Sequence, residues 1–459
     1  MSVISDRDMH KTYISQPTAM FYLICPYFYI TQKEKITFPT KPTASTYTAA
    51  DLITNLFVLR AQKLLCAKLF LRENKMIKIT FDKDKLIETI TPMLCAVNER
   101  ASLPALGGIY FQKDESDPTR CVLHTYDMER GMRKYLPCVI EEEGSFVINA
   151  NRLQRIVRTM PGPNVTLEID EKYTARIYSG TAEFKLKALP GEEFPKMPVL
   201  RGQNTFTVNQ GKLKELIDEV SFAVAVNDQR IALNGAYFEV SKNKIKLCSC
   251  DGNKLAFREC EVETGDIYSD TGMTEMEFIV PGKTLTEAQR LLSDSGEVTV
   301  GTSLRNCFFF VDDTVLFSRT IDSAYIDYNR FIRKKSSINV YLSRDAFLGA
   351  CERAALITEE RTVGQGKTHI KCNFEGNMLY VRADNMNGSV QDNIPVEKEG
   401  DDLVLAFNCR YLMDALRACP CDSVKATLET AGMSMQLEGQ SDDGRDKFLY
   451  MVLPVKLGM

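Results

Sequence analysis

Phe146-Val-Ile-Asn-Ala-Asn-Arg-Leu-Gln-Arg-Ile-Val-Arg-Thr-Met160 changes its period in the middle. Phe146–Asn149 reads as a short apolar strand. From there Leu153, Ile156, Val157 and Met160 follow the i, i+3, i+4, i+7 spacing of a buried helical stripe. Arg152, Arg155 and Arg158 fall off the stripe, with Arg155 nearly opposite Leu153. The stretch therefore predicts a strand running into an amphipathic helix, Arg152–Met160, whose outer side is basic.

The same step recurs twice. Phe278-Ile-Val-Pro281 leads into Thr284–Leu292, and Leu405-Ala-Phe-Asn408 leads into Tyr411–Ala418. Three other features accompany it in a fixed order. An earlier strand-to-helix step precedes each copy: Ile77–Phe81, Phe206–Val208 and Val340–Leu342 come before the stripes begun by Leu86, Leu213 and Phe347. Phe81, Val208 and Leu342 each stand five residues ahead of those stripes. A short apolar strand with a polar turn lies between the two steps: His124–Asp127, Cys248–Asp251 and Val381–Asp384. A late strand closes each copy, Phe184–Leu189, Leu316–Ile321 and Phe448–Leu453, with Leu189, Ile321 and Leu453 spaced 132 residues apart. One such match carries little weight. Four in one order, three times, specify three copies of one α+β domain. Each copy is expected to cover antiparallel sheets on one face with two helices. Polar linkers near Pro198–Asn204 and Lys334–Ser337 divide the copies into residues 76–199, 200–334 and 335–459.

The first 75 residues lie outside this repeat. They carry ten Lys+Arg against five Asp+Glu, a charge of +5, which leaves -9 on the remainder of a chain whose net charge is -4. Their apolar run Ala19–Ile30 contains Pro26 and falls short of the roughly 20 residues of a membrane span. Ala49–Leu71 is interrupted by Asp51, Arg60, Lys63 and Lys68. Arg72-Glu73 can be encoded as AGG-GAG, a purine-rich ribosome-binding sequence, with Asn74-Lys75 as spacer. Met76 is accordingly expected to be the start of the folded protein, and 1–75 an extension outside it.

Cysteine and histidine usage points away from metal and cofactor chemistry. The 14 cysteines are dispersed, as in a protein of the reducing cytosol. The close pairs Cys248/Cys250 and Cys419/Cys421 cannot complete a tetrahedral zinc site alone, and His10, His124 and His369 have no ligand spacing. They read as structural thiols, with no metal. Gly282-Lys283-Thr284 and Gly366-Lys367-Thr368 resemble the end of a phosphate-binding loop. The glycine that such a loop requires is replaced by Glu277 and Arg361. Asp312-Asp313 and Asp401-Asp402 suit turns. No catalytic constellation emerges, so no enzymatic activity is expected.

The basic side of the Arg152 helix has counterparts in Lys283 and Arg290, and in Arg410 and Arg417. The earlier helices add Lys83 and Lys85, Lys212 and Lys214, and Arg344 and Arg353. Clustered cations on an otherwise acidic body create a local potential that follows phosphates. No sequence-reading module is visible, so these faces suit phosphates without any reading of sequence.

Five segments now carry a resemblance: Arg100-Ala-Ser-Leu-Pro-Ala-Leu-Gly107, Ala188-Leu-Pro-Gly-Glu-Glu-Phe-Pro195, Leu233-Asn-Gly235, Cys250-Asp-Gly-Asn-Lys-Leu-Ala256 and Met451-Val-Leu-Pro-Val-Lys-Leu457. In this order, on a threefold repeat, they resemble the bacterial DNA sliding clamp, the β subunit of DNA polymerase III, over Met76–Leu457. The resemblance implies a head-to-tail homodimer, a six-domain ring with helices inside and sheets outside, encircling double-stranded DNA without a cofactor or a membrane. Arg100, Arg152 and Arg158 fall on basic family positions. Asn151 replaces a basic residue, and Ile231 and Ala232 replace aromatic ones.

The resemblance also implies a groove for short Gln-Leu-x-Leu-Phe-like peptides. Their bearers are the polymerase III catalytic subunit, the clamp loader, and repair or translesion polymerases. Leu233, Gly252, Leu255, Arg330, Asn408, Tyr411, Ser434, Pro454 and Leu457 match groove positions. Phe331, Met451, Leu453 and Val455 are apolar stand-ins, and Cys250, Asn253, Lys254 and Lys456 complete the set. Ile326 and Gly432 depart from the family pattern. Phe184 and Leu186 of one subunit are implied to meet Leu356 and Ile357 of the other. The alternative reading is a DNA-binding protein with the same repeat and no ring; an uncharacterised enzyme has only the failed phosphate motifs behind it.

Overall fold

The computed structural model describes residues 76–456 apart from 200, 263–266, 271, 273, 359–368 and 441–443. The expectations for 1–75, for Leu457 and for the Gly366 triplet therefore lie outside the described residues.

Every strand-to-helix step is present. Strand Ile77–Asp82 enters helix α1 (Lys83–Met93) and Phe146–Asn149 enters α2 (Ala150–Thr159). Asn204–Asn209 enters α3 (Gln210–Ser221), and Glu275–Pro281 enters α4 (Gly282–Leu291). Ile338–Ser343 enters α5 (Arg344–Thr358), and Leu403–Phe407 enters α6 (Cys409–Ala418). The chemistry at the junctions explains the sharp turn. Asp82, Asn149, Asn209 and Asn408 each accept a hydrogen bond from a backbone N–H of the first helical turn. The second helices begin two residues before the apolar stripes suggest, Asn149 and Asn408 capping two of them and Pro281 preceding the third. Met160 and Leu292 are C-caps rather than helical residues. Within each copy the two helices pack on each other, α1 with α2, α3 with α4 and α5 with α6.

The three domains are joined by backbone ladders. Six strands matter here: β1 (Arg130–Glu142) and β2 (Ala182–Lys187) in the first copy, β3 (Lys254–Glu261) and β4 (Thr314–Arg319) in the second, and β5 (Ser389–Pro395) and β6 (Asp446–Val452) in the third. Strand β4 pairs antiparallel with β1, Leu316 opposite Met132, so one 14-stranded sheet crosses from the second domain into the first. Strand β6 pairs in the same way with β3, Tyr450 opposite Ala256, in a nine-stranded sheet spanning the second and third domains. The third sheet has four strands and ends on β5. Among the described residues, β2 pairs only with Thr174–Ser179 and β5 only with Met378–Asp384, so the same two kinds of edge stay open at opposite ends of the series.

The late strands begin and end earlier than their apolar patterns suggest. Strand β2 stops at Lys187, because the Ala188 N–H turns to donate to the Tyr173 carbonyl at 2.8 Å. The residues that follow each late strand dock on the strand feeding the second helix. Leu189 pairs with Val147, the Ile321 N–H donates to the Ile279 carbonyl (3.0 Å), and the Val455 N–H donates to the Ala406 carbonyl (2.7 Å). Two aromatic stacks then pin the linkers to the sheets, Tyr110 on Phe194 and Tyr237 on Tyr325, each with ring centroids 5.0 Å apart. Among the described residues, no helix is long and apolar enough to cross a membrane.

The junction of the second and third domains encloses charge. Alternation along β3 puts Ala256, Arg258 and Cys260 on the buried face. The Arg258 side chain is 1% exposed; it pairs with Glu219 of α3 and lies 3.6 Å from Glu215. Lys212 of α3 reaches Asp446 of β6 at 2.6 Å, carrying the ionic contact across the boundary. Burial pushes the Glu219 carboxyl up to about 7, outweighing the attraction of Arg258. Between 4.5, its ordinary value, and about 7, the folded protein thus binds more protons at Glu219 than the unfolded chain. This site's stabilisation is complete below that window and is lost as pH rises through it. Glu219→Gln should flatten the dependence: the urea midpoint of the wild type relative to the variant should fall between pH 5 and pH 8. Parallel midpoints across that range would show that Glu219 does not titrate there.

Candidate functional site

The helical basic face forms as the spacing implies. Leu153, Ile156 and Val157 of α2 are buried, whereas Arg152, Arg155 and Arg158 are exposed. Lys283 is exposed at the start of α4, and Arg410 at the start of α6. Arg100 is exposed in the turn after α1, its N–H held by the Asn98 side chain at 3.1 Å. The face is not uniformly cationic. Arg158, Arg290 and Arg417 hold the same repeat position, but Arg290 pairs with Glu287 (3.0 Å) and Arg417 with Glu352 (2.9 Å). Arg158 has no carboxylate partner among the described residues. Arg353 is drawn away to Asp392 of β5, bonding it at 2.6 Å.

Sequence reasoning passed over Glu99. The Asn151 side chain holds its carboxyl below the usual range, helped by Asn149 and by the attraction of Arg155 and Arg152. An anion thus sits beside Arg100. Asn151 is the strongest of the influences that favour the charged form of Glu99.

The groove residues gather where the second domain meets the third. The turn Asp251–Lys254 is built on the Asp251 carboxylate, which accepts the Asn253 and Lys254 N–H groups at 2.8 and 2.7 Å. Gly252 takes φ +88°, a backbone conformation that favours glycine, with the Arg230 guanidinium close beside it. The chain after β6 crosses this turn. The Leu453 N–H donates to the Asn253 carbonyl at 2.9 Å, two residues before Val455 reaches Ala406. Pro454 and Lys456 lie on the same crossing. Asn408 is committed to capping α6.

Burial separates floor from rim. Leu233, Cys250, Leu255 and Met451 belong to one buried cluster, with Ile326 packed against it. Phe331, Leu453 and Val455 are large apolar side chains left exposed. Arg330 is exposed and pairs with Asp327 at 2.8 Å. Ser434 accepts at its backbone carbonyl from Arg333 (2.7 Å), and Gly432 opens onto empty space.

Two features of the groove were not legible as function. Lys254 is buried: its ammonium lies 3.2 Å from Asp414 of α6 and 4.9 Å from the centre of the Tyr411 ring. It clamps the turn of one domain to the helix of the next. Arg333 ties the linker to the third domain through the Thr427 and Ser434 carbonyls and, by its own N–H, through Gln436. Nothing in the spacing marks Arg333.

The implied contact residues between subunits lie at the two open edges. Phe184 on β2 is 40% exposed, and Leu356, near the end of α5, is 72% exposed. Leu186 and Ile357 are half-buried beside them.

Comparison with known proteins agrees with this architecture along the repeat. Residues 77–198, 207–327 and 329–456 match the N-terminal, central and C-terminal domains of the DNA polymerase III beta subunit. The beta sliding clamp of Bacillus subtilis is 26% identical over 387 residues, covering 83% of this chain and 99% of that protein. That of Proteus mirabilis is 27% identical over 386 residues, 83% and 100% of the two chains. Crystal structures of the Bacillus subtilis DNA polymerase sliding clamp and of a putative DNA polymerase III beta subunit from Eubacterium rectale each align with a TM-score of 0.76, at 25% identity, over 83% of this chain and all of theirs. The chain belongs to the DNA polymerase III β subunit family, the sliding clamps, non-catalytic processivity factors of DNA replication that bind DNA and polymerase.

Proposed function

We propose that two copies of this chain close head to tail into a ring that encircles duplex DNA, slides on it, and holds polymerases through the groove between the second and third domains. The carrying observation is the pair of open edges. The chain joins its domains twice by laying a late strand against a hairpin strand, β4 on β1 and β6 on β3. The late strand β2 and the hairpin strand β5 are left over. A third junction of the same kind requires a second copy, and two such junctions close the ring. In this reading residues 76–199, 200–334 and 335–459 are the three domains of each subunit, and residues 1–75 take no part in closure.

Phe184 and Leu186 then meet Leu356 and Ile357 across the new junction. The exposed Arg100, Arg152, Arg155, Arg158, Lys283 and Arg410 face the bore, with Arg290 and Arg417 softened by their carboxylates. The groove takes a Gln-Leu-x-Leu-Phe-like segment, with Met451, Leu453 and Val455 supplying apolar walls and Tyr411 and Arg330 its edges. Such segments belong to the catalytic subunit, the clamp loader and repair polymerases.

Replacing Leu356 and Ile357 together with aspartate should bury unpaired charge and split the dimer. Sedimentation should read a single-chain mass; a variant that still runs at twice that mass places the junction elsewhere. Replacing Arg152, Arg155 and Arg158 with alanine should lower the slope of log affinity against log salt for duplex DNA by about 0.9 for each phosphate no longer neutralised. An unchanged slope would remove α2 from the DNA-facing surface. Encirclement has its own signature. Protein loaded on nicked circular DNA should survive a high-salt wash and leave once the circle is cut. Retention that ignores linearisation, or moderate salt that strips the closed circle, would favour an open, unlinked binder.

A further inference from the structure

The second domain carries a trough of 1440 Å³ beside the linker that leads to the third domain. Its volume exceeds the roughly 300–1,000 Å³ typical of small-molecule sites, which suits an extended polypeptide better than a metabolite. One end is built from the linker residues Tyr325, Ile326 and Tyr328. These three pack in the same apolar cluster as Leu233, Leu255 and Met451, the floor of the peptide groove. The trough thus shares its apolar backing with that groove. Its other end lies at the junction with the first domain, where β4 finishes at Arg319.

The two ends differ in charge. Near the linker the lining is acidic: Glu277 accepts the Tyr237 hydroxyl at 2.7 Å, Glu239 accepts the Tyr328 hydroxyl at 2.9 Å and Lys246 at 3.0 Å, and Asp327 pairs with Arg330 at 2.8 Å. At the far end Arg319 is exposed and has no carboxylate partner among the described residues. Arg305 beside it meets only Asp322, at 3.4 Å and largely in solvent, a pair worth little. Leu304 completes this end. It is 92% exposed and held at φ +51°, a conformation uncommon for a leucine. An apolar side chain held out between two arginines has no role in the packing of this chain.

We propose that the trough receives the residues flanking the apolar motif of a partner segment, and that it selects flanks that are acidic with an apolar residue among them. This rests on the peptide-groove reading and extends it. The groove supplies apolar contact to the motif, and Arg305 and Arg319 supply charge that steers and retains the flank. The DNA-facing helices have no part in it.

Calorimetry on the full-length protein with three synthetic peptides tests the idea. One is Gln-Leu-Ser-Leu-Phe alone; the others carry Asp-Glu-Leu-Asp through a short Gly-Ser spacer before or after it. One of the longer peptides is expected to bind roughly tenfold tighter than the short one, about 1.4 kcal/mol. The double substitution Arg305→Ala and Arg319→Ala should remove that advantage and leave the short peptide and the thermal midpoint unchanged. Leu304→Ser should remove part of it. The proposal fails if neither longer peptide gains, or if the gain survives loss of both arginines. It also fails if the double substitution weakens DNA retention and not peptide binding, since the trough would then be a phosphate surface. No binding by the short peptide would overturn the groove itself, and the trough with it as an extension.

Discussion

Backbone pairing between domains is the constraint on which the rest depends. A strand edge presents a row of N–H and C=O groups that must find partners or water. This chain satisfies two such edges internally, by β4 on β1 and β6 on β3. Each junction places a late strand of one domain beside a polar turn of its neighbour. The proposed peptide groove depends on that placement: β6 and the residues after it bring Met451, Leu453 and Val455 to the turn that carries Gly252, Asn253 and Lys254. Buried charge reinforces the seam, with Lys212 reaching Asp446 and Lys254 reaching Asp414.

Much of this is legible in the order of the residues alone. The change of period at Asn149, Pro281 and Asn408 located three helices, and the side chains of Asn149 and Asn408 explain two of the caps. The spacing of Leu189, Ile321 and Leu453 foretold equivalent places, and all three lie where the chain leaves its late strand. What escaped were features depending on contacts distant in sequence. Ala188 breaks β2 through a bond to Tyr173, which no local pattern announces. Arg333 works through three groups about a hundred residues away. Glu99 looked like an ordinary loop acid until the fold set Asn151 and Arg155 beside it.

The basic surface shows how limited a count of charges is. Eight cations were expected to face DNA from their positions alone. The fold leaves Arg152, Arg155 and Arg158 exposed, yet gives Arg290 and Arg417 carboxylates within 3.0 Å. Such pairing lowers the local potential without removing it, consistent with a surface that holds a polyanion loosely. An acidic body with a modestly basic face also limits adhesion of its other surfaces to nucleic acid.

The hydrogen bond from the Val455 N–H to the Ala406 carbonyl has a practical side. The last described residues are not a loose tail; they are stitched into a sheet edge immediately after crossing Asn253. If the proposed groove takes a partner peptide, any affinity handle, fluorescent protein or surface anchor fused after them would start at its rim and crowd that peptide. Engineers who need an immobilised or labelled form should therefore attach it away from this crossing.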